Sequence, residues 1–551
     1  MDEIKYTPNL DKAKEILTYS DFFRKEDMPD LQTEIKKLNL HKSISIICEL
    51  VSVIDVKHEF NVYSYNISIN LYQGILKQLI RKTKSEEDMF SDPIFHSNRF
   101  IISRQVLLML LKDFIVYGNY DSLLETDYTI TEQDYEKIVI FNLIEAERLL
   151  TIQEELSDSD NFLYANYHFN YKKNLAAELA RMHYIMEKNK SVDYFSEHFQ
   201  GEYVNYYYAF EQKYGFAPTE YLAYLFLQAA PYFNDPKLHY ASIWKNVDNN
   251  QYEDLKKECI YKILDTLSFK VKQYREWAIE SEQREWDFSL FYSHPFIKDE
   301  NNNFLSISDV TTINAYFERL FWLIRDCFPR EDSRSMAFFG RLFEVYVQEL
   351  TNSSVGNGST FINEFDYNFK GQKKFSSDAY ISKDKNLLVV EAKGFSVLQN
   401  VLINNTRVEE NYEKLFVTPV LQADKALSEI EIIDNRFYEV EEAFIISVTM
   451  DSIGAVPGYL SRAHKLIDEK KKSKKTKYYF NFSIEEYEIL MFLLEQEMDI
   501  FEVLKQYFCT CELPMFSDFI SGMDIEIKMP TFTKELYEQY VEKLSKYLIH
   551  E

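Results

Sequence analysis

Apolar residues recur every three or four positions through most of the first half of the chain. The spacing predicts amphipathic helices over residues 31–50, 71–82, 103–116, 131–149, 173–187, 218–230 and 252–277, each burying one face. Ser91-Asp92-Pro93, Tyr117-Gly118-Asn119, the polar run 157–160 and Asn234-Asp235-Pro236 interrupt the pattern where helices should stop. Residues 60–68 read instead as a strand, and no repeat of fixed period is present.

Near residue 285 the pattern changes. Residues 288–309 read as a hairpin turning at Asp299-Glu300-Asn301-Asn302-Asn303, followed by a helix over 310–327. A strongly periodic helix covers 338–350. Two short β-branched runs then follow, 375–381 and 387–390, joined by the polar turn 382–386, which predicts a second hairpin. A helix over 420–427, a buried strand over 442–450 and helices over 484–508 and 534–550 complete the reading. These elements divide the chain into a mainly α-helical N-terminal region (1–285), an α/β domain with a mixed central sheet (286–475, core 337–450) and a helical C-terminal cap (476–551).

The second hairpin carries the chemistry. Asp378 stands on its first strand, and the apolar run Leu387-Leu388-Val389-Val390 ends in Glu391-Ala392-Lys393-Gly394. Side chains alternate along a strand, so Glu391 and Lys393 share a face while Ala392 points away. Neighbouring strands bring Asp378 to the same edge. Two carboxylates and an ammonium can hold a divalent cation and a hydrolytic water together, and an incomplete oxygen shell suits Mg²⁺. A Glu-x-Lys at a strand end, taken alone, also fits an ordinary charged surface. The helix carrying Glu344 before the hairpin and the one carrying Gln422 after it make the set more specific.

Ser377-Asp378 followed by Glu391-Ala392-Lys393 resembles the core of the PD-(D/E)XK nuclease superfamily, the restriction-endonuclease-like fold, over roughly residues 337–450. Ser377 replaces the proline of the motif. The resemblance implies α+β and α/β architecture with phosphodiester hydrolysis dependent on Mg²⁺, for which Mn²⁺ can substitute. It implies that Asp378, Glu391 and the Ala392 carbonyl ligate the metal and that Glu344 assists. Lys393 would position the nucleophile, and Gln422 the substrate or water. DNA is the implied substrate, with RNA as an alternative. By analogy of architecture, the role would be that of a bacterial restriction or phage-defence effector working as a homodimer or with an activating protein. A catalytically silent binding or scaffold protein on the same fold stays open as a different reading.

Composition alters this picture in one respect. A net charge of −27 is unexpected for an enzyme that grips phosphates, because affinity for nucleic acid comes largely from lysine and arginine. Two basic stretches bear on it: Lys370, Lys373 and Lys374 lead into the Asp378 strand and could touch a phosphate backbone. The run 470–477 holds six lysines and reads as a solvated, mobile loop. The acidic remainder would hold nonspecific nucleic acid away. Five scattered cysteines predict free thiols rather than a zinc site, and ten histidines form no metal-binding pair. The aromatic run 203–216 has the spacing of helix packing rather than of a base-stacking platform. With no segment apolar enough to span a bilayer and no leader-like N-terminus, the expected location is cytoplasmic, and no reader of base edges is apparent.

Overall fold

The computed structural model describes residues 17–55, 102–155, 174–191, 203–234, 244–247, 255–282, 287–308, 311–312, 315, 319–329, 331–356, 358–394, 408–450, 457–510, 516–523 and 525–545. The strand expected over 60–68 and the helix over 71–82 lie outside them. The chain forms two compact units: one gathers Thr7–Lys172 and Phe210–Leu323, the other Lys173–Ala209 and Ile324–Ser545. This partition differs from a single cut at 285. The 288–309 hairpin belongs with the helical unit, and residues 173–209 belong with the sheet-bearing one.

In the helical unit, α1 (Leu40–Asp55), α2 (Arg104–Tyr117) and α3 (Glu132–Glu155) bury Ile44, Ile47, Leu108, Leu111, Phe114 and Leu143 in a common core. α1 is shorter than the periodicity suggests. The Asn39 side chain accepts from Lys42 N–H at 2.8 Å, starting a fresh helix after Leu31–Ile35. The expected helix over 252–277 is likewise broken. Strand β1 (Ser268–Lys270) separates the helices Lys257–Thr266 and Val271–Glu280, because it pairs in parallel with β2 (Phe296–Lys298). β2 and β3 (Phe304–Ser306) form the anticipated hairpin. Asp299 fixes its turn by accepting from the N–H groups of Asn301 and Asn303 at 2.8 and 2.7 Å.

The other unit is built on a five-stranded mixed sheet in the order β10-β9-β8-β7-β4. Its strands are β4 (Thr360–Asn363), β7 (Ala379–Lys383), β8 (Asn386–Lys393), β9 (Glu442–Thr449) and β10 (Thr476–Ser483). A separate two-stranded ribbon, β5 (Asp366–Phe369) and β6 (Gln372–Phe375), is inserted between β4 and β7. The run 375–381 is therefore not one strand. Ser376 ends the ribbon by donating its N–H to the Phe365 carbonyl, and β7 starts afresh at Ala379. Nor is the segment from 476 wholly helical: the alternating Thr476–Ser483 adds β10 to the sheet edge, in parallel with β9.

Leu387, Leu388, Val389 and Val390 are fully buried although they alternate between the two faces of β8, so both faces of the sheet are covered. α4 (Leu175–Asn189), α5 (Arg334–Ser354), α6 (Thr418–Ile433), α7 (Ile484–Glu495) and α8 (Thr531–Ser545) belong to this unit, and α5 and α6 pack on β8. One reason α4 joins it is the buried Arg181. Its guanidinium donates to Glu488 on α7 at 2.6 Å, and the other Glu488 oxygen accepts from Tyr346 on α5 at 2.6 Å. The expected helix over 484–508 ends at Glu495 and resumes at Ile500, where Asp499 caps the new helix by accepting from Phe501 and Glu502 N–H.

Candidate active site

The register of the sheet brings the acidic residues together. Ala379 pairs with Val390 in the antiparallel β7–β8 ladder, so Asp378 lies one step beyond that pair, beside Glu391. Its carboxylate accepts from the Ala392 N–H at 2.6 Å, while its carbonyl accepts from the Gln348 side chain on α5 at 3.1 Å. Asp378 is thus fixed from both ends. Ser377, which stands where the resembled motif has proline, has an N–H to satisfy, and it donates to the Tyr380 hydroxyl at 2.9 Å.

Glu391 and Lys393 emerge on one face of β8, and the ammonium donates to the Glu391 carboxylate at 2.9 Å. α5 supplies the third acid. Glu344 accepts from Arg341 one turn earlier at 2.7 Å. Small residues let helix and strand approach: a Cβ on Gly394 would stand 3.0 Å from Gly340 Cα and 3.4 Å from Phe343 Cβ. Glu364, directly after β4, is a fourth acid coupled to the group. Arg341, Glu344 and Gln348 recur at helical spacing and bring three polar side chains towards the site. Of these the sequence pointed only to Glu344. Glu364 carried no such signal, because β4 has no strong pattern of its own.

The electrostatics are those of crowded carboxylates. Burial, then Glu391 and Glu344, push the Asp378 carboxyl well above the usual carboxylate range, against the pull of Lys393 and the Ala392 N–H. Glu344 is raised by burial, opposed by Arg341 and Lys393. Glu364 is raised by burial and then by Glu344 and Glu391. Burial disfavours the Lys393 ammonium, but Glu391, Asp378 and Glu344 outweigh it and hold its pKa above that of a free lysine. The charge most favoured at this edge is positive.

No family model, curated protein or solved structure matches this chain. The site is therefore argued from its own geometry. Asp378, Glu391, Lys393 and Glu344 share one electrostatic environment, and Ala392 joins them through its backbone. Gln422 does not: it is exposed on α6, with no hydrogen bond to the cluster. Among the described residues, no three His, Cys, Asp or Glu side chains stand close enough to share one metal ion. Glu344 is turned to Arg341 and Glu391 to Lys393. The donor chemistry nonetheless suits a hard cation, since these are desolvated oxygen ligands that repel one another.

The basic stretches are arranged otherwise than expected. Lys374 is held by both oxygens of Glu429 at 2.7 Å, and Lys373 pairs with Asp366 at 2.6 Å; Lys370 stands in the turn, its ammonium over the Phe369 ring. The run 470–477 is ordered rather than loose. The buried Asp424 accepts from the N–H groups of Lys472 and Ser473 and from the Thr476 hydroxyl, at 2.5, 3.2 and 2.7 Å. Thr476 lies level with Ala443 and Leu387, whereas Lys393 lies level with Thr449 and Ser483. The lysine run is thus at the opposite end of the sheet from the acids, about 20 Å away at 3.3 Å per residue. Cys48 and Cys259 are free, buried thiols, and Cys511 lies outside the described residues. No helix among the described residues is long and apolar enough to cross a membrane.

Proposed function

We propose that the chain is a metal-dependent nuclease of the PD-(D/E)XK kind that hydrolyses phosphodiester bonds in DNA. The observation that carries the proposal is the convergence of Asp378, immediately before β7, with Glu391 on the adjacent β8, Lys393 being bonded to Glu391 and Glu344 interacting from the neighbouring helix. The mixed sheet, with the site at the C-terminal end of β8 and helices covering both faces, supports the same reading.

Asp378, Glu391, the Ala392 carbonyl and Glu344 are the groups that would hold Mg²⁺. A bound magnesium ion would supply Lewis acidity towards a phosphate oxygen and the attacking water. The residues of the chain do the rest. Asp378 is kept in place by the Ala392 N–H and Gln348, so little reorganisation is needed when a cation or phosphate arrives. Lys393 has donors beyond the one given to Glu391; these orient a water and offset the negative charge that grows on the phosphoryl group. Arg341, already beside Glu344, can turn to a phosphate oxygen once Glu344 is engaged elsewhere.

The test is a cleavage assay on plasmid, linear DNA and RNA with Mg²⁺ or Mn²⁺, run beside Lys393→Ala, Glu391→Ala and Asp378→Asn. Cleavage of DNA lost in all three variants, with thermal melting intact, is the expected result. Cleavage retained in all three would remove the proposal, and cleavage confined to RNA would redirect it to the other polymer.

A further inference from the structure

The ribbon β5–β6 has no part in the hydrolytic chemistry, yet it grows directly out of the site. The chain leaves the site at Glu364, runs out and back through the ribbon, and returns at Asp378. Phe365 and Ser376 close its base, the Phe365 N–H donating to the Ser376 hydroxyl at 2.9 Å and the Ser376 N–H to the Phe365 carbonyl at 3.0 Å. Lys370 and Gly371, with φ of 51° and 79°, make the two-residue turn that suits the twist of a tight hairpin.

Its two faces differ. Opposed residues share a face, so Tyr367 and Lys374 stand together on one side, and both are held by Glu429 of α6 at 2.9 and 2.7 Å. The ribbon is thereby clamped. On the other side the pairs Asp366–Phe375 and Asn368–Lys373 all face solvent, and Phe375 is 65% exposed. The Lys373 ammonium is paired with Asp366 on the same face at 2.6 Å and lies 5.8 Å from the Phe375 ring centre, and Lys370 stands at the tip. Among the described residues, Phe375 is one of the few large apolar side chains left exposed, and it stands among hydrogen-bonding side chains on the ribbon.

We propose that this ribbon is the element that engages double-helical DNA, its Asn368, Lys373 and Phe375 face entering a groove while Lys370 meets the phosphate backbone. The proposal rests on the nuclease reading and adds the form of the substrate to it. Dimensions favour a duplex. Two strands about 4.8 Å apart fit a major groove about 12 Å wide, and four residues per strand reach about 13 Å from the site. Lysine and asparagine are side chains that read groove edges, and an apolar ring suits the thymine methyl. A single strand would call for successive aromatic platforms, whereas this face carries one ring among polar groups. The ribbon continues into the site through Glu364 and Asp378, so a duplex seated on it brings a phosphodiester towards Glu391 and Lys393.

The test compares the full chain with a Lys370→Ala/Lys373→Ala/Phe375→Ala variant and with a control, Lys472→Ala/Lys474→Ala/Lys477→Ala, at the far end of the sheet. Duplex and single-stranded oligonucleotides of the same sequence are titrated by fluorescence anisotropy, and cleavage KM and kcat are measured. All altered side chains are exposed, and thermal melting checks the fold. The ribbon variant should bind duplex roughly tenfold more weakly, with a salt dependence shallower by about one to two units of log–log slope. KM should rise while kcat is kept, and the control should match the parent. Cleavage with unchanged KM and duplex affinity in the ribbon variant would overturn the proposal while leaving the nuclease reading standing. A loss limited to single strands, or an equal loss in the control, would also overturn it. A parent chain that neither binds nor cuts any nucleic acid would remove the nuclease reading itself.

Discussion

Asp378 occupies a position where a carboxylate is costly to ionise. Its carboxyl is raised by burial and by Glu391 and Glu344, so without a cation the ionised form opposes folding. A group raised in this way contributes stability below its unfolded pKa and loses it as pH climbs through the folded value. The metal-free protein should therefore melt at progressively lower temperature as pH rises beyond the ordinary carboxylate range, and Mg²⁺ should offset the loss. Asp378→Asn keeps an oxygen for the Ala392 N–H but removes the charge. It should raise the melting temperature near neutral pH while abolishing cleavage, as calorimetry and a nicking assay would show. Lys393→Ala should lower kcat by about 10²–10³ with KM little changed, in a steady-state assay. Glu364→Gln, a change beside the proposed ligands, should raise the Mg²⁺ concentration for half-maximal rate by about tenfold, read from a metal titration. That Asp378, Glu391, Lys393 and Glu344 come together was legible in their residue types and spacing. Glu364 was not, since its place depends on a strand with no pattern and on folding that no local signal records.

At the level of elements, strong periodicity located helices well and their ends poorly. The splits at Asn39 and Asp499 come from single capping side chains, which act locally against a continuous apolar stripe. β1 and β10 were missed for the opposite reason. Ser268–Lys270 is too short for any pattern, and the alternating Thr476–Ser483 lies directly against the helix that follows it, so it was read into the helical cap. The grouping of α4 with the sheet also lay beyond the sequence, since Arg181 meets Glu488 more than 300 residues away. That contact gives a test of its own. Arg181→Ala leaves the buried Glu488 without its cation and should cost about 3–5 kcal/mol in denaturant unfolding, whereas Arg181→Ala/Glu488→Ala should recover part of the loss.

For the whole molecule, the net charge of −27 and the position of the lysines fit together. The densest basic run is tied down by Asp424 at the end of the sheet away from the acids, so it adds no positive charge beside the site. Nonspecific affinity should accordingly be low at physiological salt, and a filter-binding titration with random duplex should give a shallow salt slope. Overall composition could show the acidity but not its distribution, which follows from strand order. The ribbon adds a mechanical aspect. Because its two arms run straight into Glu364 and Asp378 and Glu429 holds it in place, a load borne at the tip would be carried to two carboxylates at the base. Occupancy of the tip and occupancy of the base would then be thermodynamically linked: whatever factor a duplex contributes to cation affinity, the cation returns to duplex affinity.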